Sequence, residues 1–538
     1  MNVAFDPWIP VVTLTGESFP ISLCEVFTGG EKYADLAVRP HERVALMRLF
    51  LCVAHASLKG PKDYPAWCEV PKKLPEAAKA YLKEWEDSFE LFHKEKPWLQ
   101  IAELNLIPSE KDSESDEEKG WSSLNKLSFI RASGNNTTLF DHEAGGGNLT
   151  EYSLADLALN ILTFQNFFVA GGKASSRLWG AIEMKNPANP KGGPCAGKSI
   201  LFTFLRGRNL FETIILNLNT QEDLKFHYGD LKDWLGVPIW EKPITDPNDE
   251  AAITNATKTH IGRLVPQTRL LRIHEDRKRI LLGAGFLYPK YQDENNAFYP
   301  DIFATAVVNN NNETELLSAR PGKAIWRELH ALVVRRKNTS PQNRGSLCLL
   351  NIPEKTPCDL TVCGMATNPK QAAEILDFID SVFHIPAFLC TSEGAIVYES
   401  EVKNAEKIAS RLGWAIEGYR SEIDGGWEGK VKGAGPKSGE LKAKLHSMAT
   451  IHYWTNVEKK LTLLMAHIEA IGTDATIPTR EAWQKMLFSS ACEAYRIACG
   501  QETPRQTRAF AIGFQRLTVK QEKNDPELDK SQTEEDEV

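Results

Sequence analysis

The sequence predicts an α+β protein in which a large mixed α/β domain precedes a four-helix bundle. In the first part of the chain, short runs of alternating apolar residues are interspersed with amphipathic segments. From about residue 370 onward, nearly every segment has helical periodicity. The 538 residues are also enough for several domains. We therefore expect a mixed α/β domain at 1–390, a helical bundle at 391–521 and an acidic, disordered tail at 522–538.

The elements of the first domain follow from local patterns. Alternation predicts strands, apolar residues three or four positions apart predict helices, and polar stretches without periodicity predict loops. Pro40 is typical of the first turn of a helix. The predicted strands cover 8–13, 19–23 and 199–205, the predicted helices 42–57, 75–93, 154–169 and 209–218, and the predicted loops 106–122, 131–148 and 170–198.

Segment 258–290 is basic, with eight lysines and arginines against two acids. Its alternation predicts strands with basic outer faces. Beyond it, helical periodicity dominates, and antiparallel helices joined by short loops make a bundle. The predicted helices are 370–383, 401–423, 441–471, 480–499 and 504–521, with a domain boundary near 385–395.

Composition narrows the class of protein. No apolar run is long enough to span a membrane, and the N-terminus lacks the features of a secretory signal. The ten cysteines form no C-x-x-C pair, which favours free thiols in a reducing compartment. A closed zinc site needs four Cys or His ligands, usually in close pairs, and the sequence has no such set. We expect a cytoplasmic protein without a metal or cofactor.

The net charge of −8 is concentrated in two acidic tracts. Residues 521–538 hold eight acids and two lysines, and residues 109–119 hold six acids and two lysines. Such tracts are usually solvated. The remainder of the chain is mildly basic, which suits a subunit that meets nucleic acid over part of its surface within a larger assembly.

One motif match points to a different class of function. Residues 192–199 satisfy the G-x-x-x-x-G-K-[ST] pattern of a phosphate-binding P-loop, which needs a buried strand before it and a helix after it. Here a Pro- and Asn-rich stretch precedes the motif and a strand-like run follows it. The pattern therefore favours a Gly/Pro-rich connection, with a nucleotide hydrolase using Lys198 and Ser199 as the alternative. A helix after Ser199 would support that enzyme. We find no other catalytic pattern and expect no enzyme.

Several basic segments are candidates for contact with a nucleic-acid backbone. Gly171 and Gly172 follow a predicted helix and precede Lys173, Ser176 and Arg177. The alternative is a helix C-cap followed by a turn. A lysine-rich loop of the bundle could track DNA or simply be solvated, and a pair of arginines is similar. These last candidates are Lys430, Lys432, Lys437, Lys442, Lys444, Arg335 and Arg336.

Two aromatic and proline-rich signatures resemble a known family: Phe5-Asp-Pro-Trp8-Ile-Pro10 and Lys96-Pro97-Trp98-Leu99-Gln100. Four further features occur in the same order as in that family: the helix after Pro40, the 202–208 strand with its short helix, the 285–287 element and the C-terminal bundle. Over nearly its whole length the sequence is similar to the CasA family, the large subunits of subtype I-E CRISPR Cascade complexes.

The resemblance implies a function in antiviral defence. Members of the family read the protospacer-adjacent motif in duplex DNA from the minor groove, start strand separation and support recruitment of a helicase-nuclease, without catalysis of their own. The implied partners are crRNA, double-stranded target DNA, the helicase-nuclease and the backbone, 5′-handle-binding and small subunits of Cascade. A purely structural scaffold subunit is the alternative.

The resemblance also assigns residues. Gly171 and Gly172 match the family's glycine loop. Lys290, three residues after Gly285-Phe-Leu, matches its lysine finger, and a lysine can donate to minor-groove acceptors. The alternative for Lys290 is a surface lysine in a turn. No cysteine precedes this lysine, so no metal is implied.

The remaining assignments concern strand separation and crRNA. Gln371 matches the family's wedge, with Lys370 as a rival for its tip, and we expect both at the start of a helix. The alternative is an ordinary helix N-terminus. Phe140, followed by Asp141, matches the residue that contacts the crRNA 5′ handle or the neighbouring backbone subunits.

Overall fold

The fold is given by a computed structural model of the chain. It describes residues 1–108, 120–130, 152–168, 176–185, 193–195, 199–228, 232–289, 291–292, 297–309, 311–320, 322–333, 344–353, 355–368, 374–425 and 436–518. The chain divides into two compact units, Met1–Ser392 and Glu393–Val538. Helices and strands are mixed, as the sequence predicts. Among the described residues, none of the helices combines the length and apolar character that a membrane crossing requires.

The strands form small antiparallel sheets in the first unit. The strands are β1 (Ile9–Thr13), β2 (Ser18–Ile21), β3 (Tyr33–Leu36), β4 (Leu104–Asn105), β5 (Ser122–Ser123), β6 (Arg177–Trp179), β7 (Ile182–Met184), β8 (Leu201–Arg206), β9 (Leu270–Ile273), β10 (Arg279–Gly283), β11 (Ala306–Val308), β12 (Thr314–Leu316), β13 (Cys358–Thr367) and β14 (Ile375–Ile385). The sheet orders are β2-β1-β3, β5-β10-β9, β4-β6-β7, β11-β12 and β14-β13-β8. The predicted strand at 199–205 is confirmed. The loop predicted at 170–198 is wrong where β6 and β7 lie, because both strands are held by pairing with β4.

The helices of the first unit surround one long buried helix. They are α1 (Leu23–Thr28), α2 (Pro40–Leu58), α3 (Tyr64–Cys68), α4 (Val70–Glu84), α5 (Leu154–Phe167), α6 (Leu210–Leu216), α7 (Gln221–Tyr228), α8 (Glu250–Lys258), α9 (His260–Leu264) and α10 (Leu329–Leu332). Helix α2 packs against α4, α5, α9 and β13. The helices predicted at 42–57, 154–169 and 209–218 are confirmed. The prediction at 75–93 is wrong at both ends, because α4 begins at Val70, tolerates Pro75 in its interior and ends at Glu84.

A buried arginine ties α2 to the rest of the unit. The Arg48 guanidinium donates to the carbonyl oxygens of Arg263 at 2.6 Å and Leu264 at 3.3 Å, and it forms an ion pair with Asp301. Arg48 and Asp301 are both buried. A buried charge is costly unless it is paired and hydrogen-bonded, and here each donor has an acceptor.

The basic segment 258–290 folds partly inward. Strands β9 and β10 are present as predicted, but the expectation of basic outer faces is wrong for Arg263 and Arg269, which are both buried. Arg263 donates to the Thr257 carbonyl at 2.7 Å. The Arg269 guanidinium lies 3.9 Å from the ring centroid of Phe168. Cation–π contact and carbonyl acceptors make burial of these arginines tolerable.

The largest departure from the sequence prediction is in the helix predicted at 370–383, which is wrong over its described residues. Residues 375–385 form β14, which pairs with β13 from Ile385 opposite Cys358 to Ile375 opposite Thr367. The β-branched and aromatic residues of this segment suit a strand as well as a helix, and the long-range pairing decides between them. The ring of Phe378 then stacks on His41 of α2, with centroids 4.5 Å apart.

The second unit is helical. Its helices are α11 (Ser392–Gly425), α12 (Pro436–Lys459), α13 (Leu461–Ala470), α14 (Thr476–Ala498) and α15 (Pro504–Thr518). Helix α14 packs against α12, α13 and α15. The core contains four fully buried aromatic side chains, Tyr398, Tyr453, Trp483 and Tyr495. The single helix predicted at 441–471 is wrong, because the backbone breaks at Lys460.

Candidate nucleic-acid interface

The segment that carries Lys370 and Gln371 connects the two strands of the β13–β14 hairpin. Both residues lie outside the described residues, but the ends of the connection are described. The Asn368 amide nitrogen donates to the Glu374 carbonyl at 2.9 Å, and Asn368 Nδ2 donates to Glu374 Oε2 at 2.6 Å. The helix that was expected to begin at Lys370 and Gln371 is wrong from Ile375 onward, because Ile375 begins β14. Lys370 and Gln371 precede that strand, in the segment that joins it to β13.

The loop end of this hairpin is held by the first unit. The pairing register shifts between Ala366 and Thr367, and the Thr367 amide nitrogen donates to Ser199 Oγ at 2.9 Å. On its other edge β13 pairs with β8, and Leu360 and Val362 are fully buried. The end of β13 from which the connecting segment leaves is therefore held in the sheet.

Lys290 also lies outside the described residues, between two buried tyrosines. The Tyr288 hydroxyl accepts a hydrogen bond from the Gln267 amide nitrogen at 2.7 Å. The Tyr291 hydroxyl accepts one from Arg344 Nε at 2.9 Å. Burial raises the pKa of Tyr288, which keeps its phenol protonated. The backbone on both sides of Lys290 is thus anchored to the interior. The sequence analysis missed these two anchors, although the Tyr-x-x-Tyr spacing around Lys290 was a signal that could have indicated them.

The residues before Lys290 require close backbone packing. A Cβ on Gly285 would lie 1.7 Å from the Thr268 carbonyl oxygen, so only glycine fits. Phe286 is buried and packs edge-to-face on Trp179, whereas the side chain of Leu287 is 51 % exposed. The exposed side chain of Leu287 therefore lies between two buried aromatic side chains, Phe286 and Tyr288.

Gly171 and Gly172, with Lys173, lie outside the described residues, but buried guanidinium groups flank them. Arg269 packs on Phe168 at the end of α5, and burial lowers the pKa of Arg269 to about 10, so it stays charged at neutral pH. Arg177 follows the segment and donates to the Gly120 carbonyl at 3.0 Å. Arg177 is 7 % exposed, so the expectation that its side chain takes phosphate oxygens is wrong.

The P-loop alternative is overturned by the geometry around Ser199. Lys198 lies outside the described residues. Ser199 is buried, and its hydroxyl accepts from the Thr367 amide. The chain then enters β8, a strand rather than the helix that a phosphate site requires. The segment that matches the motif therefore leads into strand β8.

Comparison with known proteins identifies the family. The family model of the CRISPR-associated protein Cse1 matches residues 2–494. This chain belongs to the Cse1 family. The resemblance predicted from the sequence is thereby confirmed.

Individual Cse1 relatives agree over most of the chain. A CRISPR-associated protein CasA/Cse1 from Thermus thermophilus is 26% identical over 520 residues, covering 92% of this chain and 91% of that protein. Thermobifida fusca Cse1 has the same fold, with a TM-score of 0.71 at 20% identity, covering 96% of this chain and 97% of that chain. A chain of a CRISPR RNA-guided surveillance complex matches with a TM-score of 0.68 at 18% identity, covering 96% of this chain and 99% of that chain.

Other predicted contact residues of this Cse1-family chain are only partly placed. Phe140, Asp141, Arg335, Arg336, Lys430 and Lys432 lie outside the described residues. The expectation of a lysine-rich loop is wrong from residue 436 onward, because Pro436 begins α12. Lys437, Lys442 and Lys444 are therefore helical. Lys444 is exposed, and Lys442 Nζ lies 3.7 Å from Glu417 Oε1.

Cysteine and metal chemistry complete the description. All ten cysteines are free thiols, as predicted. Burial raises the pKa of most of them, including Cys195 to about 12, so these thiols stay protonated. Within the described parts of the chain, no group of three or more His, Cys, Asp or Glu side chains is arranged to hold a metal ion.

Proposed function

We propose that this Cse1-family chain is the non-catalytic large subunit of a CRISPR RNA-guided surveillance complex. In this proposal it recognises the protospacer-adjacent motif in duplex DNA from the minor groove and opens the first base pairs. The observation that carries the proposal is the β13–β14 hairpin, whose connecting segment contains Lys370 and Gln371 and is joined at its ends by the Asn368–Glu374 hydrogen bonds. Family membership and the likeness to a chain of a surveillance complex supply the context.

The hairpin suits a wedge for physical reasons. Separating a base step from its stack costs a few kcal/mol, so an inserted side chain must be held firmly. The Asn368–Glu374 hydrogen bonds join the two ends of the connecting segment, and the bond from Thr367 to Ser199 ties the adjoining end of β13 to the first unit. We assign Gln371 to the insertion and Lys370 to a neighbouring phosphate, because a lysine is a point charge that binds phosphate well.

Motif reading is assigned to Lys290, supported by Gly171 and Gly172. A lysine entering the minor groove can donate to base acceptors, and it reads them degenerately. Tyr288 and Tyr291 anchor both sides of Lys290, which reduces the entropy lost when it binds. Glycines allow a backbone to approach the groove closely.

The proposal extends to partners. Phe140 and Asp141 would contact the crRNA 5′ end or a backbone subunit. The helices of the second unit would form the four-helix bundle, with Lys430, Lys432, Lys437, Lys442 and Lys444 facing a DNA backbone. Arg335 and Arg336 would make similar backbone contacts. Other Cascade subunits, target DNA and a recruited helicase-nuclease complete the assembly.

The test is motif discrimination by the complex reconstituted with crRNA. Its affinity is measured for target duplexes that carry randomised flanking motifs, at two salt concentrations, with wild type, Lys290→Ala and the exposed-lysine control Lys79→Ala. We expect Lys290→Ala to reduce discrimination between motifs about tenfold, by the magnitude typical of a base-edge contact. We expect Lys79→Ala to leave the discrimination between motifs unchanged.

The result distinguishes a subunit that reads the motif from one that only supports the complex structurally. A subunit that only scaffolds the complex would give Lys290→Ala the same motif preference as wild type. A loss of affinity that is equal for all motifs would make Lys290 a phosphate contact instead of a reader. Either result contradicts the assignment of Lys290 as the lysine finger.

A further inference from the structure

A cavity of about 540 Å³ lies in the first unit, bordered by α3, α7 and the 3₁₀ turn Leu347–Asn351. No residue assigned to DNA or crRNA lines it. Its walls include the rings of Tyr64 and Phe226, which are 62 % and 50 % exposed. Exposed apolar side chains that are grouped rather than scattered are typical of interaction sites, and both of these rings line one cavity.

Both rings are held in place by their neighbours. Tyr64 stacks on Trp67, with centroids 5.8 Å apart, and Trp67 Nε1 donates to the Leu218 carbonyl at 2.8 Å. Phe226 packs edge-to-face on His227, with centroids 5.2 Å apart. The aromatic faces are thus oriented before any ligand arrives, which lowers the entropic cost of binding.

The charged residues that line the cavity are acidic. Glu222 and Asp223 both line it, and no ion pair joins either of them to a described residue. The Thr220 hydroxyl donates to Asp223 Oδ2 at 2.7 Å, which fixes that carboxylate. Two carboxylates beside two aromatic faces disfavour phosphate or nucleic acid and favour a cation.

The residues at the base of the cavity carry no positive charge that would repel a cation. His227 lines it and is buried, and burial together with Arg344 lowers the pKa of His227 to about 3, so the imidazole is neutral at pH 7. Asn351 donates its amide to the carbonyls of Leu216 at 2.7 Å and Leu218 at 3.2 Å. A cation entering the cavity therefore meets carboxylates, aromatic faces and a neutral floor.

We propose that this cavity binds the guanidinium group of an arginine presented by a partner protein. A planar guanidinium stacks on aromatic rings and donates in a fork to carboxylates, whereas an ammonium cannot do both. Phe226 and Tyr64 supply the stacking faces, and Glu222 supplies the acceptor. The site is independent of the DNA-reading residues.

The experiment uses the full chain and three fluorescein-labelled peptides, of six arginines, six lysines and six citrullines. Citrulline keeps the planar shape and removes the charge. Binding is measured by fluorescence anisotropy for wild type, Phe226→Ala, Tyr64→Ala and Glu222→Gln. The controls are Leu14→Ala, which removes an exposed apolar side chain elsewhere, and Glu76→Gln, which removes an exposed acid elsewhere. Thermal melts check that each variant is folded.

The aromatic variants decide the outcome, because they leave the charge of the acidic tracts unchanged. We expect Phe226→Ala and Tyr64→Ala each to weaken binding of the arginine peptide about fivefold, and Glu222→Gln about tenfold. The controls bind like wild type, and the citrulline peptide binds at least tenfold more weakly. Equal binding by wild type and both aromatic variants overturns the proposal. Lysine binding as tight as arginine binding overturns the guanidinium preference.

Discussion

Ser199→Ala tests how the loop end of the β13–β14 hairpin is held. The register shift after Ala366 removes Thr367 from the regular ladder, and its amide nitrogen donates to Ser199 Oγ at 2.9 Å. Alanine leaves this partly buried N–H without that acceptor. The cost of such a loss is about 1–2 kcal/mol, which corresponds to roughly a fivefold to thirtyfold increase in local opening.

Hydrogen exchange measures this opening directly. The exchange rates of the peptides that span β13 and β14 are compared for wild type, Ser199→Ala and Ser199→Asn. Asparagine is the matched control, because it tolerates the left-handed backbone at this position (φ 57°) and retains an oxygen acceptor. We expect faster exchange at the C-terminal end of β13 in the alanine variant, and largely restored protection in the asparagine variant. Unchanged exchange in Ser199→Ala would refute this account of how the loop end of the hairpin is held.

Three further predictions concern stability of the first unit. Asp301→Asn leaves the buried Arg48 charge unpaired and is expected to cost about 3–5 kcal/mol in urea unfolding; a cost below about 1 kcal/mol contradicts the role of this pair. Gly285→Ala places a Cβ against the Thr268 carbonyl and is expected to unfold the turn, read as lost protection of the β9–β10 region, with exposed Gly16→Ala losing none there. Burial, with a smaller contribution from Arg39, lowers the pKa of His41 from 6.5 to about 3. The unfolded chain therefore binds a proton that the folded state rejects, and stability falls as the pH drops from about 6.5 toward 3; His41→Phe flattens that acid limb, and an unchanged limb contradicts the assignment.

The sequence was sufficient where local signals agree. Helix α2 has a proline in its first turn and apolar residues at helical spacing, and α5 has apolar residues at the same spacing, so both were predicted. It failed where pairing between distant segments decides. Strand β14 was predicted as a helix, because its apolar residues fit both periods and only β13 selects the strand.

The candidate site divides in the same way. The resemblance identified the candidate residues, but only the fold showed the structural environment of each. Gln371 was expected at the start of a helix, whereas the residues that follow it from Ile375 onward form strand β14. Arg177 and Arg269 were expected outside and are buried, because sequence shows a charge but not the carbonyl or aromatic ring that accepts it. The tyrosines on both sides of Lys290 became meaningful only once their hydrogen bonds were known.

Strand opening by the assembled complex tests the central claim most directly. A 2-aminopurine base is placed in the first base pair after the protospacer-adjacent motif, and its fluorescence is followed after mixing with complexes that contain wild type, Gln371→Ala, Lys370→Ala or Lys79→Ala. The account predicts slower opening for Gln371→Ala at saturating complex, by about tenfold or more given a cost of a few kcal/mol per unstacked step. Lys370→Ala weakens binding with a reduced salt dependence, and Lys79→Ala behaves like wild type. Opening by Gln371→Ala at the wild-type rate would contradict the assignment of the hairpin tip as the wedge.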